Sequence, residues 1–426
     1  MAAVHRGRRL DRSFDDQTAG LGQKERAWCR QVSYGVQRFR GRIDYLLNLH
    51  TSRCLSDVDP EVLDVLRLGL YEMFYLDGVP QYAAVSQAVE LAKKTIKPSA
   101  GFVNAVLRSV ARKGVGRENF PDFKTDPVAF LSTWGSHPHW LIERWVSRWS
   151  VEEVNSLVKA NNGVPPIFLN CLGRDSVAAV SELRNSDIQA EAIEGTSCVM
   201  LKGSNLLKET MKVFPSIVQD PAAALVPEFM DVENHELIVD LCAAPGGKAI
   251  VLGAKGHSVL AVDRSFDRLS LLKKNLTRLS GSNSGNPVLK IQVAQGDARD
   301  PLVTRTRAVL IDVPCTGTGT LRRNPDIRWK VNEKRLRVIS ELQSEILDNV
   351  AKTVSVGGIL LYSTCSLELE ENNDQIARFL TKHPNFRIEP GKGVDSRFLD
   401  SQGQLNVLPQ KFGFDGSFAA RLLRVT

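Results

Sequence analysis

The 426-residue chain has no apolar run approaching the roughly 18 residues that a membrane-crossing helix needs. Its N-terminus carries arginines but no apolar stretch of the kind a secretory signal requires, so the expected location is the cytoplasm, with no membrane partner. The seven cysteines, at positions 29, 54, 171, 198, 242, 315 and 365, include no CxxC pair, and no histidine stands at ligand-like spacing. A disulfide framework and a structural zinc are therefore not expected. What remains, with 43% hydrophobic and 24% charged residues, is an ordinary globular composition, enough for two or three domains.

The net charge of +7 is unevenly spread. The first 42 residues hold ten cations (Arg6, Arg8, Arg9, Arg12, Lys24, Arg26, Arg30, Arg38, Arg40 and Arg42) against four acids. Such a concentration reads either as a solvated helix surface or as a face for a polyanion, and it does not separate RNA from DNA.

Three regions follow from periodicity. Residues 23 to 113 carry apolar residues at helical spacing, as in VLDVLRLGLYEMFYL and AAVSQAVELAKK, and read as a compact helical bundle. The stretch GVGRENFPDFKTDP is rich in Gly, Pro and charge and places a domain boundary near residue 125. From there to about 225 the pattern is mixed, and a small α+β subdomain is expected. Its Trp-rich helix, HWLIERWVSRW, sets Trp140, Trp145 and Trp149 on one face, for core packing rather than base stacking. Beyond 236, apolar runs such as ELIVDL, HSVLAVD, VLKIQVA, RAVLIDV and GGILLYS alternate with helices, the signature of a parallel sheet covered on both faces. In such sheets ligands sit outside the carboxyl ends of the strands.

The polar motifs fall at those ends. DLCAAPGGKA follows the first strand and opens a helix; Gly246 and Gly247 let the backbone approach a ligand closely, and the helix offers amide donors. It is not GxGxxG, and a P-loop would need Gly at Cys242 and Ser or Thr at Ala249. Asp263, 17 residues past Gly246 at the end of the second strand, can accept both hydroxyls of a ribose, unless it or Ser265 only caps the next helix. Asp297, after the third strand, can accept from an adenine amino group or serve a turn. Two such acids without a pyrophosphate fingerprint fit S-adenosyl-L-methionine better than a dinucleotide.

LIDVPCTGTG and LLYSTCSLE each carry a strand into a cysteine followed by small residues. In a doubly wound order the two strands are neighbours, about 4.8 Å apart, so Cys315 and Cys365 face one cleft beside Asp312. A thiol near a methyl donor suits covalent catalysis. A thiolate adding to carbon 6 of a pyrimidine makes carbon 5 nucleophilic, and a second acid/base group eases loss of the carbon-5 proton and release of the thiolate.

DLCAAPGGKA, DVPCTGTGTLRRNPDIRW and YSTCSLELEENN closely resemble the motifs of the RNA cytosine-C5 methyltransferases of the RsmB/Sun type. GFVNAVLR, SHPHWLIERW, VQDPAAALV and DGSFAARLLR resemble its flanking segments, so the likeness runs from about residue 20 to the C-terminus. The resemblance implies an all-α NusB-like RNA-binding bundle over residues 1–125, a small α+β RNA-binding subdomain over 126–225, and a Rossmann-like α/β methyltransferase domain over 226–426. It implies Cys365 as nucleophile and Cys315 as the residue assisting release. It also implies that Cys242, Ala243, Ala244, Pro245, Gly246, Gly247, Lys248, Asp263, Asp297 and Asp312 line the cofactor and base pocket, with Asp312 on the cytosine edge. The expected partner is RNA, foremost small-subunit (16S) ribosomal RNA, with no DNA and with the protein a monomer.

One departure stands in the small subdomain, where Phe168, Leu169 and Asn170 replace the family's usual Arg-Val-Asn and the nearest arginine is Arg174. Three rivals stay open: a tRNA cytosine-C5 methyltransferase, a DNA cytosine methyltransferase attacking through Cys315, and a non-catalytic RNA-binding assembly factor.

Overall fold

A computed structural model describes residues 4, 6–114, 116–203, 207–233, 236–280 and 287–426; Val115 of the expected linker lies outside them. The chain forms two compact units, Met1–Val164 with Leu321–Val331, and Pro165–Thr320 with Asn332–Thr426.

The first unit is helical: α1 (Leu10–Gln17), α2 (Gln23–Arg38), α3 (Arg40–His50), α4 (Pro60–Tyr75), α5 (Gln81–Thr95), α6 (Ala100–Lys113), α7 (Pro127–Thr133), α8 (His139–Val146) and α9 (Val151–Asn162). Starts are written locally. Asp59 caps α4 with Pro60 in the first turn, and Ser150 and Glu153 form a capping box on α9. The apolar stripes of α3 to α6 meet in a core around Leu47, Leu66, Leu70 and Leu107.

This unit runs past the boundary expected near residue 125. Asp126 caps α7, and Phe130, Leu131, Leu141, Trp145 and Leu157 are buried, so the segment packs as helices and the α+β layer begins only at Pro165. Helix α8 stops at Val146, so of the expected tryptophan face Trp145 alone is fully buried, while Trp140 and Trp149 are half-buried. The expected basic N-terminal face also shrinks. Arg8 pairs with Asp16, Arg9 with Asp11 and Arg26 with Asp15. Arg38, Arg40 and Arg42 turn inward, burial lowering each from the usual arginine value, and Arg42 lies 3.8 Å from the centre of the Trp134 ring.

The inserted segment Leu321–Val331 is tied to these helices by Arg328, which is fully buried. Its guanidinium donates to Ser136 O and Asn162 Oδ1 at 2.8 Å, to Arg38 O and Asn161 O at 3.2 Å, and to Leu321 O at 3.4 Å. Burial, with Arg38 nearby, pulls Arg328 down to about 9, so it remains charged at neutral pH. Because Arg328→Ala strands those acceptors and opens a cavity, a loss of roughly 3 to 5 kcal/mol is expected in chemical denaturation of the full chain. An unchanged midpoint would show that the segment is held without it.

The second unit opens with β1 (Phe168–Asn170), α10 (Ser176–Arg184), β2 (Ala190–Ala192), β3 (Cys198–Leu201), α11 (Leu207–Val213) and β4 (Ile217–Val218). They make an antiparallel sheet in the order β2-β3-β1-β4. Phe168 is buried and meets the Phe414 ring edge-on at 6.0 Å, while Arg174 is bound to Glu182. The aromatic ring at 168 therefore serves packing.

The main sheet contains β5 (Leu237–Asp240), β6 (Ser258–Asp263), β7 (Lys290–Gln295), β8 (Thr306–Asp312), β9 (Val354–Thr364), β10 (Phe386–Ile388), β11 (Leu405–Val407) and β12 (Ser417–Arg424). Its order is β10-β12-β9-β8-β5-β6-β7, with β11 pairing β12. Strands β7 through β9 are mutually parallel, as expected; β10, β11 and β12 are antiparallel additions at one side. Helices α12 (Pro221–Phe229), α13 (Gly247–Ala254), α14 (Phe266–Leu279), α15 (Glu333–Ala351) and α16 (Asn373–Lys382) accompany the strands. Separate apolar clusters form with α12 to α14 on one side and α15 and α16 on the other, so the central strands are apolar on both faces.

Candidate active site

All the expected site residues lie in the second unit, at the carboxyl ends of β5, β6, β7, β8 and β9. The turn after β5 is held by its own backbone. Cys242 N donates to Asp240 Oδ1 at 3.2 Å, Ala243 N to Val262 O at 2.9 Å, and Ala244 N to Asp263 Oδ2 at 3.1 Å. The Cys242 thiol and the Ala243 and Ala244 methyls pack in the core, and burial raises Cys242 well above the usual thiol value. These three residues shape the turn rather than present side chains. Pro245 leads into Gly246, whose φ of +108° favours glycine and which caps α13 without any side chain. Gly246 thus offers the first amides of α13 no side-chain acceptor of its own.

Asp240 is fully enclosed, and its Oδ2 has no hydrogen-bond partner among the described residues. Burial, reinforced by Asp312, pushes its carboxyl up to about 7. An uncapped helix start beside an orphaned carboxylate oxygen suits an amino acid zwitterion, the amides facing its carboxylate and Asp240 its ammonium. The residues present therefore fit the methionine end of S-adenosyl-L-methionine.

Asp263 is buried, and it is not the cap of α14. Ser265 takes that role by accepting from Arg268 N at 3.4 Å. Asp263 accepts from Ser265 N at 2.9 Å and pairs with Arg268 Nη1 at 3.3 Å, and Arg268 also donates to Ala244 O. A carboxylate offers about four lone-pair positions, which leaves capacity for a ribose hydroxyl. Asp263→Asn keeps the shape and removes the charge. It is expected to weaken cofactor binding in calorimetry by roughly 1.5 to 3 kcal/mol, the range for hydrogen bonds to charged groups. An unchanged affinity would leave Asp263 as a brace for the turn.

Asp297 is engaged by Arg299, whose Nη2 stands 2.7 Å from Oδ2 and whose Nε stands 3.1 Å from Oδ1. Those hydrogen bonds hold its carboxyl down at about 2. The expected adenine acceptor is thus already committed to a neighbouring cation.

At the ends of β8 and β9 the two thiols meet, with Cys315 Sγ and Cys365 Sγ 3.2 Å apart. The hydrogen bond with Cys365, burial and the charge of Cys365 push Cys315 well above the usual thiol value, and either sulfur can be the donor across this contact. Beside them Lys248 Nζ lies 2.7 Å from Asp312 Oδ2, and Ser363 Oγ donates to Asp312 Oδ1 at 2.8 Å. Burial disfavours the ammonium, but Asp312, with Cys365 and Asp240, outweighs it and holds Lys248 above the usual lysine value. Lys248, expected as part of the cofactor turn, is therefore directed to the thiol cluster through Asp312.

The loops themselves are close-packed. Gly319 N donates to Cys365 O at 3.0 Å and Gly416 N to Gly319 O at 2.7 Å; a Cβ on Gly319 would stand 2.8 Å from both Cys365 O and Gly416 Cα. Sequence reasoning passed over Asp240, Gln343 and Glu371, whose importance comes from burial rather than from residue type.

The strand order, with antiparallel β12 between β9 and β10, together with the glycine turn and its acids, defines an S-adenosylmethionine-dependent methyltransferase. The chain belongs to the 16S rRNA methyltransferase RsmB/F family. That family model matches residues 227–423, the NusB family matches 3–112, and the ferredoxin-like domain of RsmF/B-like methyltransferases matches 137–205. The chain is 31% identical over 420 residues to a probable ribosomal RNA small subunit methyltransferase B of Bacillus subtilis, covering 93% of this chain and 90% of that protein. It is 32% identical over 434 residues to the protein of the same description from Synechocystis, covering 97% and 94%. Among solved structures, that of PH0851 superposes with a TM-score of 0.76 at 25% identity, covering 97% of this chain and 93% of that one. NSun6 from Pyrococcus horikoshii with SFG shares the fold, with a TM-score of 0.57 at 17% identity over 67% of this chain and 97% of that one. No helix among the described residues is long and apolar enough to cross a membrane, and no group of three or more His, Cys, Asp or Glu there could hold a metal ion.

Proposed function

We propose that this protein methylates carbon 5 of a specific cytosine in small-subunit ribosomal RNA through a covalent cysteine adduct at carbon 6. The observation that carries the reading is the pair of sulfurs 3.2 Å apart beside the Lys248–Asp312 ion pair. Cys365, the cysteine of the TC motif, is the nucleophile, and Cys315 faces it across 3.2 Å. The Cys365 thiolate adds to carbon 6, and the ring electrons move to carbon 5. Asp312, steadied by Lys248 and Ser363, accepts from the cytosine edge. S-adenosyl-L-methionine, when bound, supplies the electrophilic methyl group. Cys315, as its thiolate, then takes the carbon-5 proton, and the electrons of that carbon–hydrogen bond restore the ring double bond and expel Cys365 as thiolate from carbon 6. Small-subunit ribosomal RNA is favoured over transfer RNA by full-length similarity to proteins described as ribosomal RNA small subunit methyltransferase B, at 30 to 32% identity. The NusB-like bundle supplies RNA affinity, and the protein works as a monomer in the cytoplasm.

Bisulfite sequencing of total RNA from cells with and without the gene tests this directly. One small-subunit position losing protection is the expected result. A lost position in transfer RNA would move the substrate, and an unchanged map would remove the assignment.

A further inference from the structure

Glu371 lies in the short turn Leu369–Glu371 after β9 and is fully buried. Its carboxylate gathers donors from both cysteine loops. Oε1 accepts from Thr316 N at 2.8 Å and from Gln343 Nε2 at 2.9 Å, while Oε2 accepts from the hydroxyls of Thr316 and Ser366. Thr316 follows Cys315 and Ser366 follows Cys365 in the chain. The same Gln343 amide donates to Pro314 O at 2.8 Å, on the other side of Cys315. Asn372 completes the second loop, accepting from Thr364 Oγ1 at 2.6 Å and donating to Ser366 O at 2.9 Å. The residues on either side of each thiol are thus fastened to one buried cluster centred on Glu371.

A buried carboxylate is costly unless its lone pairs are filled, and here three of the four donors come from Thr316 and Ser366, the residues next to the thiols, and the fourth from Gln343. The fold alone does not call for this. The ends of β8 and β9 are joined by strand pairing up to Asp312 and Ser363; beyond that point single hydrogen bonds, Gly319 N to Cys365 O at 3.0 Å and Leu367 N to Thr318 Oγ1 at 2.9 Å, link the loops, and the residues next to each thiol are gathered on Glu371.

We propose that Glu371 is a positioning residue that clamps the Cys315 and Cys365 loops together and so sets the contact between the two sulfurs. The inference rests on the proposed two-thiol chemistry for its consequence, but the clamp can be read without methylation. When diamide takes two hydrogens from the thiol pair, a Cys315–Cys365 disulfide and the reduced hydrazine form. Closing that bond requires the sulfurs to approach from 3.2 Å to about 2.0 Å.

The test is Glu371→Gln in the full chain, with the disulfide followed by peptide mass spectrometry. The expected result is slower formation of the Cys315–Cys365 disulfide than in the parent protein. Removing a negative charge by itself favours thiolate and quickens exchange, so slowing reports geometry. Turnover on RNA should fall on the order of 100-fold, the scale of an ångström-level misplacement, with KM for RNA and cofactor affinity unchanged. Glu371→Asp, which keeps the charge but shortens the reach, should recover part of both readouts. If Glu371→Gln does not fold, Ser366→Ala, which removes one donor from the Cys365 side, should slow the disulfide in the same direction. Disulfide formation at the parental rate in a folded variant overturns the clamp. Should no RNA methylation be found in any form of the protein, the disulfide rates still decide the matter.

Discussion

Cys365→Ala is expected to abolish methylation and, in the same experiment, covalent capture of RNA carrying 5-fluorocytosine. Carbon 5 of cytosine is a poor nucleophile until sulfur is bonded to carbon 6, so without that bond the remaining groups can only bind and orient. Removal of an attacking residue from a cooperating set costs on the order of 10⁴-fold or more in turnover. The fold should tolerate the change, because Cys365 is only partly buried and its loop is held through Thr364, Ser366 and the Cys365 carbonyl rather than through the thiol. Cofactor affinity measured by calorimetry should accordingly stay at the parental value. If the variant methylates normally, the nucleophile is elsewhere. If it is inactive but still captures the fluorinated RNA on Cys315, attack proceeds through Cys315 as in the DNA enzymes.

Much of this site is legible in the sequence because strand ends are written by pattern. RAVLIDV and GGILLYS are apolar on both faces, which requires a covered parallel sheet, and parallel neighbours bring their following residues together; hence Cys315 and Cys365 could be placed in one cleft before any coordinates. The helical bundle was legible for a similar reason, since stripes such as that of α4 have only helix packing as a solution.

What was not legible depends on which polar groups are dry. LELEEN contains Glu368, Glu370 and Glu371, and nothing in residue type separates the last, with its four donors from the thiol loops and α15, from its neighbours. Asp240 reads as the last residue of a strand, and nothing in the sequence shows that its oxygen is enclosed and unpartnered. The arginines were legible only in part, since Arg6, Arg12, Lys24 and Arg30 stay exposed. Composition near the N-terminus suggested a surface for nucleic acid, whereas Arg38 and Arg42 are interior groups packed against carbonyl oxygens and rings. Net charge counts cations without regard to whether water reaches them. The compact helical unit runs on past residue 125 because Pro and Gly mark breaks between helices as readily as breaks between compact units, and Asp126–Pro127 is a helix start.

Cys315→Ala should separate the two halves of the reaction. Attack on carbon 6 needs only the Cys365 sulfur, and the loops remain fastened through Thr316, Gln343, Ser366 and Glu371, none of which uses the Cys315 side chain. The first half should therefore survive. The second half should not, because the proton on carbon 5 must leave before the carbon–sulfur bond can break, and the Cys315 sulfur stands 3.2 Å from the sulfur that is to be expelled. Loss of such an acid/base group costs about 10²- to 10⁴-fold, and the block should fall entirely after carbon–sulfur bond formation. With natural, unfluorinated RNA and cofactor, Cys315→Ala should accumulate a protein–RNA species that survives denaturing electrophoresis and carries the methyl group, while the parent protein shows none at steady state. Adding Cys365→Ala to the variant should erase that species. If Cys315→Ala instead loses adduct and product in equal measure, Cys315 is the attacking thiol and the roles of the pair are reversed.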